Sequence, residues 1–419
     1  MLKAIKIRLY PNQTQQVYIN KLVGCYRKVF NLCLNKKITE YNINKNNLGL
    51  SELGNYFHKE LAKSEQYFYL KEHNTKVLKQ SVLNLLDAYK SFFVNGNGFP
   101  KYKSKNDNKQ SARFPLEAIS SKNTYENSKI TLIKQLKNIS FECSEKDKNY
   151  LVKYKKGIKS ATLTKTKSGK YFLSILIDGD LKKTLPTPTN NIIGLDLGIK
   201  YFVVCSNGEK FENLNLRKNN EKKLARLNRQ LSKKQNGSNN KNKARVKLAK
   251  LHEKLNNQKE NHLHSITSKL VSENQTIVIE DLNIGGMMKN HCLAKSIQNL
   301  SIYEFKRQLT YKCAWYGRDL IVVNRWFPSS KLCNCCGYKY QKLSLKERKW
   351  KCSECGKTHD RDENAAINIQ NEGERIIGQR LPEFKLAEHP TMDDKEEIPL
   401  KSSGALKQED KNLSKRNLK

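Results

Sequence analysis

Apolar and polar residues alternate at the start of the chain and then change to a helical spacing. In residues 3–10 isoleucine and leucine alternate with lysine and arginine, which predicts a strand with one exposed face. Residues 13–112 have a largely helical pattern, clearest over residues 74–93, where one broad face is apolar and the other is polar. The apolar face consists of Val77, Leu78, Val82, Leu85, Leu86, Tyr89 and Phe92.

A second alternating region follows the helices. Residues 128–178 have the two-residue period of strands, with a hairpin predicted to turn at Ser168 and Gly169. We expect the first strand to join these strands in a small β-barrel. The helices of residues 11–112 would then be an insertion into that barrel.

Beyond a proline-containing linker at residues 185–191, strands and helices alternate. The order over residues 191–380 is that of ribonuclease H type folds, which supports that fold by analogy only. Two basic helices within it have leucines seven residues apart, which predicts either a plain coiled hairpin or a hairpin whose charged outer faces lie on a duplex. The predicted elements are two strands in 191–212, helices at 221–234 and 242–273, a strand at 276–281, a helix at 299–316 and a strand at 319–324.

The charge balance changes this picture from an ordinary enzyme to a protein with a polyanionic partner. The 419 residues include 79 Lys and Arg against 40 Asp and Glu, a formal charge of +39. Such a charge favours binding to nucleic acid phosphates, although a lysine- and asparagine-rich proteome would explain part of the excess.

The start of the chain has no signal-peptide core and no run of 18 apolar residues occurs, so we expect a soluble, cytoplasmic protein. Residues 381–419 lack periodicity and are predicted to be disordered.

Three carboxylates are expected to face inward from different elements. Asp196 shares one face of its strand with Gly194 and Gly198, which would leave room for an ion and a phosphate backbone. Glu280 ends a later strand, and Asp362 lies on the inner face of an alanine-rich helix. For each acid alone, a helix cap or a solvated strand-end charge is the simpler explanation, because most acidic residues are solvated. Together they predict an oxygen-only site for magnesium, with two ions in phosphodiester hydrolysis.

Two cysteine pairs predict one structural zinc ion. The C-x-x-C spacing occurs twice with 15 residues between the pairs, and a glycine follows each pair. Four thiolates fill a tetrahedral site, so this ion would be structural, the alternative being unliganded thiols. Cys335 lies inside the first pair and makes the choice of its ligands ambiguous, but Cys333 and Cys336 keep the usual C-x-x-C spacing. The predicted zinc ligands are Cys333, Cys336, Cys352 and Cys355. The remaining cysteines are predicted to fill cores: Cys25, Cys33, Cys143, Cys205, Cys292 and Cys313.

Residues 98–114 interleave aromatic residues with cations. Lys101 and Lys103 lie beside Phe99 and Tyr102, as in loops that bind nucleic acid through phosphates and stacked bases. A flexible basic linker would have the same composition. We favour nucleic-acid binding.

The motifs taken together resemble the TnpB (OrfB) family of transposon-encoded, RNA-guided nucleases, which are related to single-nuclease CRISPR effectors. The matching segments, in order, are RLYPNQTQQ, FPKYKSK, GLDLGIK, IVIEDLNIGGM, SSKLCNCCG, CSECGKTHDRDENAAINI and LKSSGALKQED. The resemblance implies that Asp196, Glu280 and Asp362 are RuvC-type catalytic acids, and that Lys76 and Gln80 read a short DNA motif beside the target. It also implies a guide RNA from the transposon end and a double-stranded DNA target.

The expected protein is therefore an α/β multidomain chain with a ribonuclease H-like (RuvC) nuclease domain. The implied domains are a β-barrel at 1–10 and 113–190, a helical recognition lobe at 11–112, the nuclease domain at 191–325 and 358–380, and an inserted zinc ribbon at 326–357. The expected function is a magnesium-dependent, RNA-guided DNA endonuclease that associates with the nucleoid when on DNA. The alternatives are a strand-transfer transposase and a non-catalytic nucleic-acid-binding regulator of transposition. The sequence leaves the oligomeric state open.

Overall fold

The computed structural model describes residues 2–107, 110–179, 191–341, 343–344 and 347–380. The predicted disordered tail at 381–419 and nearly all of the predicted linker lie outside these residues. The chain divides into two units, Met1–Gly373 and Glu374–Lys419. The architecture below is that of the first unit, and of the second only the helical residues 374–380 are described.

The N-terminal half contains a six-stranded antiparallel sheet in the order β2-β5-β6-β1-β4-β3. Its strands are β1 Leu2–Tyr10, β2 Gln110–Pro115, β3 Lys129–Ile130, β4 Ile139–Glu142, β5 Ile158–Lys165 and β6 Tyr171–Asp178. The first strand pairs with β6 from Leu2 opposite Asp178 to Leu9 opposite Tyr171, as the alternating pattern predicted. The hydrogen-bonded ladder of these strands begins at β2 and ends at β3, so closure into a barrel stays a prediction.

Helices between β1 and β2 pack against this sheet in one continuous core. They are α1 Gln13–Asn44, α2 Leu50–Asn55, a π-helical turn at Tyr56–Leu61, a 3₁₀ segment at Glu65–Glu72 and α3 Thr75–Asn95. Asn12 and Gln15 cap α1 reciprocally through backbone and side-chain hydrogen bonds of 2.9 and 3.0 Å. Of the predicted apolar face of α3, five residues are buried, and Leu86 and Phe92 are half-buried.

Smaller helical elements connect the later strands of this sheet. They are 3₁₀ turns at Leu116–Ala118 and Lys155–Gly157 and the helix α4 Glu145–Lys153. The predicted hairpin turn between β5 and β6 is confirmed, with Gly169 at a φ of 86°, a left-handed conformation that glycine adopts without strain.

The C-terminal half contains a five-stranded mixed sheet in the order β11-β10-β7-β8-β9. Its strands are β7 Ile192–Leu197, β8 Tyr201–Cys205, β9 Lys210–Glu212, β10 Thr276–Glu280 and β11 Asp319–Val323. The strands β7, β10 and β11 are parallel, and β8 and β9 are antiparallel to their neighbours. The carboxyl ends of the three parallel strands therefore share one edge of the sheet.

Helices cover this second sheet and project from it. They are α5 Leu216–Asn219, α6 Glu221–Ser232, α7 Asn239–Glu273, α8 Ile284–Met287, α9 His291–Leu300, α10 Ile302–Tyr316 and α11 Arg361–Arg380. The core between the sheet, α7 and α10 includes Leu195, Phe202, Leu270 and Phe305. The α6–α7 pair is the predicted helical hairpin, and its own seam buries Leu224, Leu227, Leu251 and Leu255. No helix in the described ranges is long and apolar enough to cross a membrane.

A small two-stranded element lies between β11 and α11. Its strands β12 Lys349–Lys351 and β13 Thr358–Asp360 are antiparallel. Trp350 of β12 is buried with Cys333 and Cys352 in a core of its own. Of the cysteines predicted to fill cores, Cys25, Cys33, Cys205 and Cys313 are buried and Cys143 is half-buried, while the side chain of Cys292 lies outside the described ones.

Candidate functional site

The helix α11 crosses the sheet against β7, and a glycine makes that contact close. A Cβ atom added to Gly194 would lie 2.1 Å from the Ala366 carbonyl oxygen and 2.5 Å from the Gln370 nitrogen. The interpretation that this glycine leaves room for an ion was therefore wrong. The α11 backbone fills the space, because only a residue without a side chain allows a helix to approach a strand so closely.

The same contact places two of the predicted acids at one end of the sheet. The chain leaves β11 at the carboxyl edge of the parallel strands and enters α11 through the two-stranded element, so α11 runs back along β7. Two strand residues advance about 6.6 Å and four helix residues about 6 Å. The step from Gly194 to Asp196 thus matches the step from Ala366 to Asp362.

The charges of Glu280 and Asp362 act on Asp196. Burial raises the pKa of Asp196 to about 7, and the negative charges of Glu280 and then Asp362 add to the rise, while Arg361 opposes it. Burial also raises the pKa of Glu280. A carboxyl whose pKa is raised by burial and by like charges is a site where a bound cation would lower the free energy of the ionised form.

Each of the other two acids has a specific side-chain partner. Ser329 donates a hydrogen bond from its hydroxyl to Glu280 Oε1, which lowers the pKa of Glu280 in part. Arg348 Nη1 lies 3.0 Å from both carboxylate oxygens of Asp362. The oxygens of the three carboxylates do not all lie within 4.8 Å of one another. A cation shared by the three acids would also have to compete with Arg348 for Asp362.

The four predicted cysteines do converge. They are the single group of three or more histidine, cysteine or acidic side chains, within the described parts of the chain, whose ligand atoms all lie within 4.8 Å of one another. Sγ of Cys333 is 3.6 Å from that of Cys355, and Sγ of Cys336 is 3.7 Å from that of Cys352. Sulfurs about 2.3 Å from a tetrahedral zinc ion would be about 3.8 Å apart, so this group fits zinc.

The backbone around each cysteine pair explains this convergence. The amide of Gly337 donates to the carbonyl of Cys333 at 2.9 Å, and Gly356 donates to Cys352 at 3.0 Å. Both glycines have a positive φ, 75° and 69°, which turns the chain back after the second cysteine of each pair. Cys335 is exposed and lies outside the group.

Two buried asparagines on α11, which sequence reasoning missed, dock this helix to the segment that enters the cysteine element. Asn368 Nδ2 donates to the carbonyls of Ser329 and Leu332, each at 2.7 Å. Asn364 Nδ2 donates to the Leu332 carbonyl at 2.7 Å, and its Oδ1 accepts from the Asn334 amide at 3.0 Å. Their four-residue spacing on the alanine face was the available signal, because buried amides need partners.

The start of α11 is fixed by a further acid. Asp360 Oδ1 accepts hydrogen bonds from the amides of Asp362 and Glu363 at 3.1 and 3.3 Å. Asp360 is therefore the N-terminal cap of α11. The cap and the asparagines thus fix the orientation of the helical turn that carries Asp362.

The residues predicted to bind nucleic acid lie in the N-terminal half. Lys76 is exposed and Gln80 is half-buried, one turn apart on α3, and Lys101 is exposed. Lys103 differs, because its Nζ lies 3.6 Å from the ring centre of Phe30 and burial lowers its pKa. The side chain of Asn31 donates from Nδ2 to the Lys103 carbonyl and accepts at Oδ1 from the Lys103 backbone N–H, so these hydrogen bonds fix the loop to α1.

Three protein-family models match the chain. A model described as "Probable transposase" matches residues 174–291, and one described as "Cas12f1-like, TNB domain" matches residues 303–369. A model described as "Helix-turn-helix domain" matches residues 1–46, where the structure has β1 and the single long helix α1.

Curated relatives match over nearly the whole chain. A Streptomyces pristinaespiralis protein named "Putative RNA-guided DNA endonuclease" is 35% identical over 370 residues, 88% of this chain and 88% of that protein. The protein "InsQ" of Escherichia coli, with the same printed description, is 30% identical over 391 residues, 90% of this chain and 93% of that protein.

A solved structure has a similar fold. The protein in a "Cas12f1-sgRNA-target DNA complex" has a TM-score of 0.54 and 15% identity, over 89% of this chain and 99% of that chain. At this identity the match speaks for the fold alone.

Proposed function

This chain belongs to the TnpB (OrfB) family, and from that membership we propose that it is an RNA-guided DNA endonuclease with a magnesium-dependent, RuvC-type site. The relatives' printed descriptions support the guided-endonuclease part of this proposal. The single observation that supports the site is the close contact of α11 with β7 at Gly194, and the raised pKa of Asp196, caused by burial and by the charges of Glu280 and Asp362, agrees with it. In this proposal, carboxylates from β7, β10 and α11 would act together at one edge of the sheet.

The proposed catalytic residues are Asp196, Glu280 and Asp362, which would hold magnesium through oxygen ligands. When bound, the metal would polarise a phosphoryl oxygen and activate water. The Ser329 hydroxyl would orient Glu280, and the metal would have to displace Arg348 from at least one oxygen of Asp362.

The proposed zinc ion is structural and is held by Cys333, Cys336, Cys352 and Cys355. It would hold the shape of the ribbon. Ser329, which binds Glu280, precedes the ribbon's cysteines in the chain, and Asp362 follows them. The ion would therefore help to position both acids.

The proposed division of the chain follows the expected domains. A nuclease domain at 191–325 and 358–380 would surround the ribbon at 326–357, and the sheet order β9-β8-β7-β10-β11 supports the ribonuclease H-like assignment. A barrel at 1–10 and 113–190 with a helical lobe at 11–112 would bind the nucleic acids. The charge of +39 supports a guide RNA and a DNA duplex as partners, with action on the nucleoid in the cytoplasm.

The test is cleavage by the protein purified with its own RNA. That RNA is sequenced, a matching DNA duplex is made, and cutting is measured with magnesium. Asp196→Ala should abolish cutting and spare DNA binding, whereas Asp319→Ala, which removes an exposed acid at the opposite end of the sheet, should cut normally. Cutting at the normal rate by Asp196→Ala would refute the site.

The description of the model that matches residues 174–291 favours a second candidate, a strand-transfer transposase. Joined DNA ends formed by the purified chain alone would support it, and cut ends without joining would exclude it. A non-catalytic regulator would bind nucleic acid and give neither product.

A further inference from the structure

A tryptophan beside the proposed catalytic acids is held in an exposed position. Trp326 is 85% exposed, the largest exposed fraction among the described large apolar side chains. Tryptophan is highly buried on average, so one left this open on a fixed loop needs a reason. It follows β11 and is the first residue of the proposed ribbon, before the ribbon's cysteines.

The loop that carries Trp326 is fixed at both ends to the end of β10. On one side the Arg325 guanidinium donates to Asp281 Oδ2 through both Nε and Nη2. On the other side the Ser329 hydroxyl donates to Glu280. Because Glu280 and Asp281 are adjacent, the two contacts hold the intervening residues close to the carboxyl end of this strand.

Further hydrogen bonds hold the turn itself. The Trp326 amide donates to Asn324 Oδ1 at 2.9 Å, and the Phe327 amide donates to the Asn324 carbonyl at 3.0 Å. Lys306 also binds Asp281, at 3.2 Å, which fixes the acceptor of Arg325. The indole is therefore presented by a preorganised backbone, and its own ring is left in solvent.

We propose that the Trp326 indole is the stacking platform for an unpaired base of the DNA strand that enters the candidate nuclease site. An indole face binds any base by stacking, so it positions a strand without reading its sequence. The proximity to Glu280 favours the DNA strand to be cut over the guide RNA, and the positive chain would attract either. This inference rests on the proposed function, because it assigns a substrate contact at the same site.

Intrinsic fluorescence tests this contact without requiring cleavage. The chain has three tryptophans. Trp350 is buried, and half-buried Trp315 lies edge-on to Tyr311 at 4.6 Å. Full-length protein with its co-purified RNA, carrying Asp196→Ala, is titrated with single-stranded oligodeoxythymidine.

The expected result is that DNA quenches tryptophan emission in this protein and equally when Trp315→Phe is added. Adding Trp326→Phe instead should remove most of the quenching. Equal quenching in the Trp326→Phe protein would overturn the proposal, as would no quenching in any of them. Trp326 emission already quenched by the RNA and unchanged by DNA would assign the ring to the guide and would also overturn it.

Cleavage kinetics supply the second arm. Trp326→Leu should raise KM for DNA by about 10-fold, within the range for loss of one base–aromatic stack, with kcat changed less. Trp326→Phe should restore KM to within about 3-fold of the original because a phenyl ring still stacks. Unchanged KM in Trp326→Leu would overturn the proposal. Quenching through Trp326 in a wild-type protein that does not cut would refute the nuclease function and leave the stacking contact standing.

Discussion

Replacing Asn368 by leucine tests whether side-chain hydrogen bonds hold α11 to the ribbon. Asn368 is 5% exposed, and its amide donates to the carbonyls of Ser329 and Leu332 at 2.7 Å each. Leucine has a similar volume and no donor. The Leu332 carbonyl keeps its bond from Asn364, but the Ser329 carbonyl loses its bond from α11. Two lost bonds at about 1 kcal/mol each and one poorly satisfied buried carbonyl at about 1 kcal/mol predict a loss of about 3 kcal/mol.

The assay is native-state hydrogen exchange together with DNA cleavage. The Asn334 amide, which donates to Asn364, reports opening of the contact between the ribbon and α11. A loss of about 3 kcal/mol predicts exchange at that amide roughly 100-fold faster. Cleavage should fall as well, because the same contact orients Asp362 and, through Ser329, Glu280.

The matched control is Asn371→Leu, the same change on an exposed position of the same helix. It should leave exchange and cleavage unchanged. Because Asn364 and Asn368 share the Leu332 carbonyl, the double variant should depart from the sum of the single ones by at least about 0.5 kcal/mol. Normal exchange at Asn334 in Asn368→Leu would refute the reasoning, and strict additivity would refute the shared acceptor.

Three further predictions concern the acids, the zinc and the helix contact. The folded pKa of Asp196, about 7, is above its ordinary 3.8, so its bound proton stabilises the fold at low pH and this contribution is lost as pH rises through 7. Without divalent cations, Asp196→Asn should therefore raise the melting temperature at pH 8 and not at pH 4, and equal shifts would contradict the assignment. Cys352→Ser should lose zinc by metal analysis while Cys335→Ser retains it, and the reverse result would reassign the ligands. Gly194→Ala should lower the free energy of unfolding by about 1–3 kcal/mol through its clash with α11, whereas Gly54→Ala, whose Cβ meets nothing within 4 Å, should not.

The sequence predicts most elements because their apolar periods match the surfaces they bury. The apolar residues of α3 and of β1 are buried in one shared core, as their periods predict. The C-x-x-C spacing predicts the cysteine group because local turns alone bring the two cysteines of each pair together. The strand carrying Asp196 was predicted with the correct face. The role of Gly194 was misinterpreted, since a single sequence does not show which neighbour occupies the space beside a glycine.

Long-range polar contacts were beyond such reasoning. Ser329, Arg348 and Asn368 meet partners 14 to 49 residues away along the chain, and their residue types are common on any surface. Lys103 was predicted to bind nucleic acid because it is a lysine in a basic, aromatic segment, yet its ammonium packs on the ring of Phe30. Periodicity reports which face of an element is buried and is silent about which polar groups pair across elements.

The central position of β1 in the first sheet has a consequence for synthesis on the ribosome. This strand is made first, yet it pairs with β4 and β6, whose last paired residue is Asp178. Ribosomes add about 5–20 residues per second, so β1 and the helices after it wait roughly 10 s or longer for these partners. During that interval the unpaired edges of β1 are open to chaperones. A stop codon placed before β6 would release a chain whose first strand lacks its longest pairing.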